Sequence, residues 1–254
     1  MANTRIIARL DVKAPNLIKG VHLEGLRKLG APQEFALRYY NEGIDEIIYI
    51  DAVASLYQRN SIIDLVTSTA ENVFIPITAG GGIRSVDDVR EMLRAGADKV
   101  AVNTEATRRP ELIGEIAQAF GSQCMVLSIQ AKRRSGGDGW EAYCDQGREH
   151  TGMDVVEWAR RGQDLGAGEI LLTSVDQEGT CRGFDIELLR AVCNAVTIPV
   201  IASGGMGAVS HMTDAIVEGG VQAVAIAHML HYKKLSLAEI RAGATAAGIA
   251  VRHP

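Results

Sequence analysis

No run in this 254-residue chain is apolar for long enough to span a bilayer. The opening stretch MANTRIIARLDV has neither the charged start nor the long apolar segment of a secretion signal, so a cytoplasmic location is expected. Positive charge is in deficit. The 26 lysines and arginines stand against 31 aspartates and glutamates, a net charge of −5, which argues against a nucleic-acid footprint. Cysteine is scarce as well. Cys124, Cys144, Cys181 and Cys193 include no pair at metal-ligand spacing and suggest no disulfide framework, so free thiols and no bound metal are expected. Low-complexity segments and obvious linkers are also missing. What remains is the composition of an ordinary soluble globular protein with ample residues for a large core.

What is present is a stretch that occurs twice. The first copy runs from Ile75 to Gly82 (IPITAGGG) and the second from Ile198 to Gly205 (IPVIASGG), 123 residues apart (199 minus 76). Each is a short apolar run that ends in small residues, with a helical pattern close behind. A buried parallel strand entering a phosphate-binding turn has this form. The match extends on both sides. Arg5–Val12 aligns with Cys124–Ala131, Asp45–Ala52 with Gly168–Val175, and Asp98–Thr104 with Gln222–His228. Each half therefore carries four apolar runs, and the halves fall at about residues 1–121 and 122–254.

Eight strands alternating with helices imply right-handed βαβ units and a parallel sheet. In a chain of this length they fit a single (β/α)8 TIM barrel with a twofold half-barrel repeat better than a doubly wound open sheet. The open sheet would need a nucleotide fingerprint, and GxGxxG is absent after the first strand. Capping boxes are expected at Ser61 with Asp64, Ser85 with Asp88 and Ser236 with Glu239. Two connections are long. Val12–Gly30 has no clean period and is basic through Lys13, Lys19, Arg27 and Lys28, which suits a functional loop over an anionic ligand. Lys132–Thr151 suggests a small hairpin on the same face.

Catalytic groups in such a barrel lie at the C-terminal ends of the strands. Four carboxylates end strands there: Asp11, Asp51, Asp176 and Glu178. Closely spaced acids at a sheltered mouth can divide the roles of acid and base. The glycine turns read as two phosphate sites, Gly81, Gly82, Asn103 and Thr104 forming one and Ser203, Gly204, Gly205 and Ala227 the other. A substrate with a phosphate at each end would fit both. At the opposite rim, Arg5, Glu46, Lys99 and Glu169 begin strands and are placed to form a charged ring, which fold physics alone reads as a stabilising ion-pair cluster.

These motifs resemble a known family. The segments RLDVK (Arg9–Lys13) with Lys19-Gly20, GGGIRS (Gly80–Ser85), ADKVAVNT (Ala97–Thr104), FGSQC (Phe120–Cys124), GAGEILLTS (Gly166–Ser174) and IPVIASGG (Ile198–Gly205) make the whole chain similar to the cyclase subunit of imidazole glycerol phosphate synthase. The resemblance implies a barrel that takes ammonia from a glutaminase docked on its N-terminal face and uses no cofactor. It implies that Arg5, Glu46, Lys99 and Glu169 gate that ammonia and that Asp98 contacts the glutaminase. The acceptor would be a bisphosphorylated aminoimidazole carboxamide ribonucleotide. Asp11 matches one of two acids that flank the reaction. The other is replaced by Gln130, and an amide can orient a substrate but cannot exchange a proton at neutral pH. Arg9 replaces a small residue, Glu178 and Gln222 replace aspartates, and His228 replaces a serine where it could still hold a phosphate. Two functions are therefore open. One is a working cyclase. The other is a paralogue that has lost cyclisation and relays ammonia to another amidating enzyme, as in surface-sugar amidation.

Overall fold

The computed structural model describes residues 3–54 and 62–252. The chain begins with strand β1 (Arg5–Lys13), an antiparallel hairpin β2 (Asn16–Val21) and β3 (Glu24–Gly30), and helix α1 (Pro32–Asn41). Strand β4 (Glu46–Asp51), helix α2 (Ile63–Ala70), β5 (Ile77–Gly80), α3 (Val86–Arg94) and β6 (Lys99–Val102) follow. The short helix α4 (Thr104–Arg108) and α5 (Glu111–Phe120) lead to β7 (Met125–Arg133), the hairpin β8 (Trp140–Cys144) and β9 (Glu149–Asp154), and α6 (Val155–Leu165). The rest is β10 (Glu169–Ser174), α7 (Ile186–Cys193), β11 (Val200–Ser203), α8 (Val209–Val217), β12 (Ala223–Ile226), α9 (His228–His231) and α10 (Leu237–Ala246).

Eight parallel strands pair in the order β1-β4-β5-β6-β7-β10-β11-β12, and β12 pairs back with β1. The sheet is thus closed as a barrel, with helices in the connections. Among the described residues, no helix is long and apolar enough to cross a membrane.

The residue alternation of a strand explains why both faces are buried. On β1, Ile6, Ala8, Leu10 and Val12 pack outward into the layer between strands and helices. Ile7 turns inward and joins Ile48, Ala101, Val126, Leu171, Ile201 and Ala223 in a separate apolar cluster that fills the lumen. Arg5, Arg9 and Asp11 share the inward parity of Ile7. The lumen is therefore layered along its axis, charged at the floor, apolar in the middle and polar at the mouth.

Ser85 accepts from the backbone of Asp88, whose side chain accepts in return, and Ser236 and Glu239 do the same. Each cap is worth about 1 kcal/mol. Ser61 lies outside the described residues, and α2 starts after Ile62 without a side-chain cap. The first long connection differs from the expected loop, because it forms the β2–β3 hairpin. Its turn places His22 at φ 52° and Leu23 at φ 63° between the paired residues Val21 and Glu24. A two-residue turn of that shape normally carries Asn-Gly, so His-Leu hides it. Register shifts in the pairing also break the period of two. The second long connection does contain a hairpin, β8–β9.

Candidate active site at the barrel mouth

The floor of the lumen is closed by four charges. Arg5 Nη1 donates to Glu46 Oε1 at 2.8 Å, and its Nη2 pairs with Glu169. Lys99 Nζ reaches Glu46 Oε2 at 3.1 Å and Glu169 Oε2 at 2.9 Å. Each carboxylate is shared by both cations, so positive and negative groups alternate round the ring. Burial alone would lower the Arg5 pKa, but attraction to Glu169 and then Glu46 outweighs it and raises the value. Just outside the ring, Asp98 Oδ2 accepts the Ile77 N–H at 2.8 Å. Asp45 Oδ2 does the same for Ile6 at 2.7 Å, and Gln222 Oε1 for Val200 at 2.9 Å. In all three, the residue just before a strand ties down the start of its neighbour. An amide oxygen serves as well as a carboxylate there, which explains why Gln222 is tolerated.

At the mouth, Asp11 is buried and its Oδ1 accepts from Arg9 Nε at 2.9 Å. It lines a cleft with Lys19, Gly20 and Gln146. Lys19 comes from β2 and pairs with Glu178, both buried. The same hairpin is tied down by His22, whose backbone N–H donates to Glu178 O at 2.8 Å and whose Nδ1 lies 3.0 Å from Val175 O. The longer side chain of glutamate, compared with aspartate, supplies the reach to Lys19. Burial pushes the Lys19 ammonium down to about 8. The pull of Asp11 opposes that shift and repulsion from Arg9 adds to it.

Gln130 also sits at the mouth, and its Oε1 accepts the Gly147 N–H at 2.7 Å. The side chain therefore anchors the turn of the second hairpin. Asp51 Oδ1 accepts from Val53 N at 2.9 Å, and Asp176 Oδ2 from Arg133 N at 2.8 Å. Both accept backbone N–H groups at strand ends, Asp51 within its own turn and Asp176 across from the end of β10 to the end of β7.

A cavity of about 230 Å³ opens beside these groups. Gly81, Gly82, Asn103 and Thr104 line it, together with Asp51, Ser128 and Gln130. The Asn103 side chain is engaged elsewhere, donating to Ser128 O at 3.0 Å and Tyr143 O at 3.2 Å. Thr104 Oγ1 is 3.3 Å from Asp145 Oδ1. The backbone N–H groups are what these two residues have left to offer an anion. Arg84, Arg108 and Gln146 also line the cavity. None of the three stood out in the sequence: Arg84 falls within GGGIRS, which was read for its glycines, Arg108 sits on α4 and Gln146 in a hairpin turn.

Ser203, Gly204, Gly205, Ala227 and His228 come together in a second, much narrower cleft of about 20 Å³. The buried Nε2 of His228 has no hydrogen-bond partner among the described residues. Burial, and then repulsion from Lys234 and Lys19, lowers the His228 pKa. The aligned turn glycines behave alike in the two halves. Gly81 has φ 98° and a Cβ there would lie 2.5 Å from Asp51 O. Gly204 has φ 94° and a Cβ would lie 2.7 Å from Ser174 O. Both conformation and space therefore demand glycine.

A family model described as histidine biosynthesis protein matches residues 5–236. An imidazole glycerol phosphate synthase subunit HisF from Legionella pneumophila is 67% identical over 207 residues, 82% of this chain and 97% of that protein. Another from Mycobacteroides abscessus is 52% identical over 254 residues, 98% of each chain. With a (β/α)8 barrel and likeness at this level over nearly their whole lengths, the chain belongs to the histidine biosynthesis protein family and, within it, to the family of imidazole glycerol phosphate synthase subunit HisF.

Proposed function

We propose that this chain is the cyclase subunit of an imidazole glycerol phosphate synthase, an enzyme of the lyase type that works in the cytoplasm. It takes ammonia from a glutaminase subunit and converts a bisphosphorylated aminoimidazole carboxamide ribonucleotide to imidazole glycerol phosphate. The observation that carries this reading is the furnishing of one lumen at both ends. A ring of alternating charge closes the floor. At the mouth, Asp11 and Gln130 are joined by two glycine-turn clefts.

In this reading Asp11 is the catalytic acid–base group, and Gln130 is a positioning residue because an amide cannot exchange the proton. The clefts with Gly81, Gly82, Asn103 and Thr104, and with Ser203, Gly204, Gly205, Ala227 and His228, hold the two phosphates as equivalents under the half-barrel repeat. The unpartnered Nε2 of the His228 ring supports a donor role toward one of them. Lys19, Asp51, Asp176 and Glu178 bind or order the rest of the substrate. The glutaminase docks on the N-terminal face around Arg5, Glu46, Lys99, Glu169 and Asp98, and ammonia enters through the ring. The relay alternative keeps that face but makes no product. The relatives from Legionella pneumophila and Mycobacteroides abscessus, both synthase subunits by name, speak for the synthase and not for a relay.

The test is a substitution at the acid. Asp11→Asn should lower turnover of the bisphosphorylated substrate with ammonium by about 10²–10⁴, the usual worth of a general acid–base group. Unchanged turnover would remove Asp11 from the chemistry.

A further inference from the structure

Arg9 crosses the lumen. Its side chain shares the inward parity of Ile7 and Asp11 on β1, and the residue is 2% exposed. Its Nε donates to Asp11 Oδ1 at 2.9 Å. Its Nη1 donates to Thr173 Oγ1 on β10 at 2.8 Å and to Ser203 Oγ on β11 at 2.9 Å. Counted round the barrel through β12 and β11, β10 is three strands from β1. The guanidinium therefore ties one wall to another directly beneath the mouth. Below it lies the apolar layer of Ile7, Leu171 and Ile201, which offers the cation no other partner.

A buried ion pair is a poor device for stability, since apolar residues of similar volume serve as well or better in its place. The bonds instead constrain one functional group. Asp11 Oδ1 is occupied by Arg9, while Oδ2 has no hydrogen-bond partner among the described residues. Two hydroxyls then fix the guanidinium itself, so the carboxylate is held by a planar fork with little freedom.

We propose that Arg9 is a positioning residue for the cyclase reaction, clamped by Thr173 and Ser203 so that it presents Asp11 to the substrate through the free Oδ2 oxygen. The inference rests on the assignment of Asp11 as the acid–base group. A carboxylate serving the reacting atoms needs its geometry held to about half an ångström. At this mouth Gln130 supplies no second acid, so the orientation of Asp11 carries more weight.

The experiment compares kcat and KM of the purified chain for the bisphosphorylated substrate, with ammonium as nitrogen source. Arg9→Met should lower kcat by about 10²-fold, the scale of a misplaced catalytic group, with KM little changed. Arg9→Lys should not restore it, because a single ammonium cannot reproduce the planar fork that meets three acceptors. Thr173→Val keeps the ion pair but removes one anchor and should lower kcat by a smaller factor. It carries the test if Arg9→Met does not fold. A kcat within about twofold of the unsubstituted chain in the folded variants, or a rise in KM with kcat unchanged, would overturn the proposal. The two assignments fail separately. If Asp11→Asn abolishes turnover and the Arg9 and Thr173 variants keep theirs, only the positioning role is lost. If Asp11→Asn is harmless, the acid–base assignment itself is wrong.

Discussion

At the scale of single residues, Gln130 is held by the Gly147 N–H. Replacing it by aspartate shortens the side chain and weakens that anchor, yet it supplies a carboxylate at the position where the family resemblance implies the second acid. The chemical gain should win. Gln130→Asp is expected to raise kcat with ammonium by at least about tenfold, less than the roughly 10²–10⁴ of a general acid because the hairpin anchor weakens at the same time. A fall in kcat would mean that anchoring the second hairpin matters more than acidity. Lys19 gives a prediction in pH. Its pKa is lowered to about 8 from 10.5, so the ammonium is present below about 8 and lost above it. The KM for the bisphosphorylated substrate should rise as pH passes through that value, and Lys19→Met should flatten the profile. A profile unchanged by Lys19→Met would exclude its cation from binding. Stability runs the other way. Between about 8 and 10.5 the unfolded chain binds more protons at this group than the native one, so the destabilisation from burying the cation fades as pH rises. The departures from the family pattern were legible in the sequence, but their partners were not. The anchors of Arg9 are 164 and 194 residues away along the chain. Strand alternation on β1 alone would have pointed Arg9 into the lumen.

At the scale of elements, strand-to-helix turns were easy to read and hairpins were not. The turn glycines announce themselves because the backbone needs them. Gly204 combines a left-handed φ with a Ser174 carbonyl oxygen that a Cβ would approach to 2.7 Å. Gly204→Ala should therefore destabilise the fold by about 2–3 kcal/mol, from the strain of one forbidden conformation plus the shift needed to relieve the contact. Urea denaturation monitored by circular dichroism measures it, and an unchanged midpoint would contradict the strain. The β2–β3 hairpin escaped because β3 exposes most of its side chains and so carries no buried face to mark it. Its contribution comes from Lys19 and His22, which fasten it across the mouth to the Val175–Glu178 segment. The second hairpin region was visible because the glycine-rich SGGDG marks the turn between β7 and the largely buried β8, and the DQG turn that follows leads into β9. Helix α4 was hidden by its length, since five residues are too few to show a period.

At the scale of the whole molecule, the barrel follows from eight apolar runs, four in each half, alternating with helical patterns. Closure leaves no edge among the eight barrel strands and creates a lumen with two ends. The charged floor, the apolar middle and the polar mouth then lie on one axis. This is the arrangement needed for a small neutral molecule to meet a large anionic one from the opposite side. The sequence placed the floor residues at strand starts, but it did not separate a gate from an ion-pair cluster. That distinction depends on what docks outside. At the mouth, Gln130 stands where the family resemblance implies a second acid beside Asp11. The direct test is turnover of the bisphosphorylated aminoimidazole carboxamide ribonucleotide by the purified chain under saturating ammonium at mildly alkaline pH, where free ammonia bypasses the glutaminase. Formation of imidazole glycerol phosphate is the expected result. Tight binding of that substrate with no product would contradict it, showing a mouth that keeps its phosphate grips without the cyclisation chemistry.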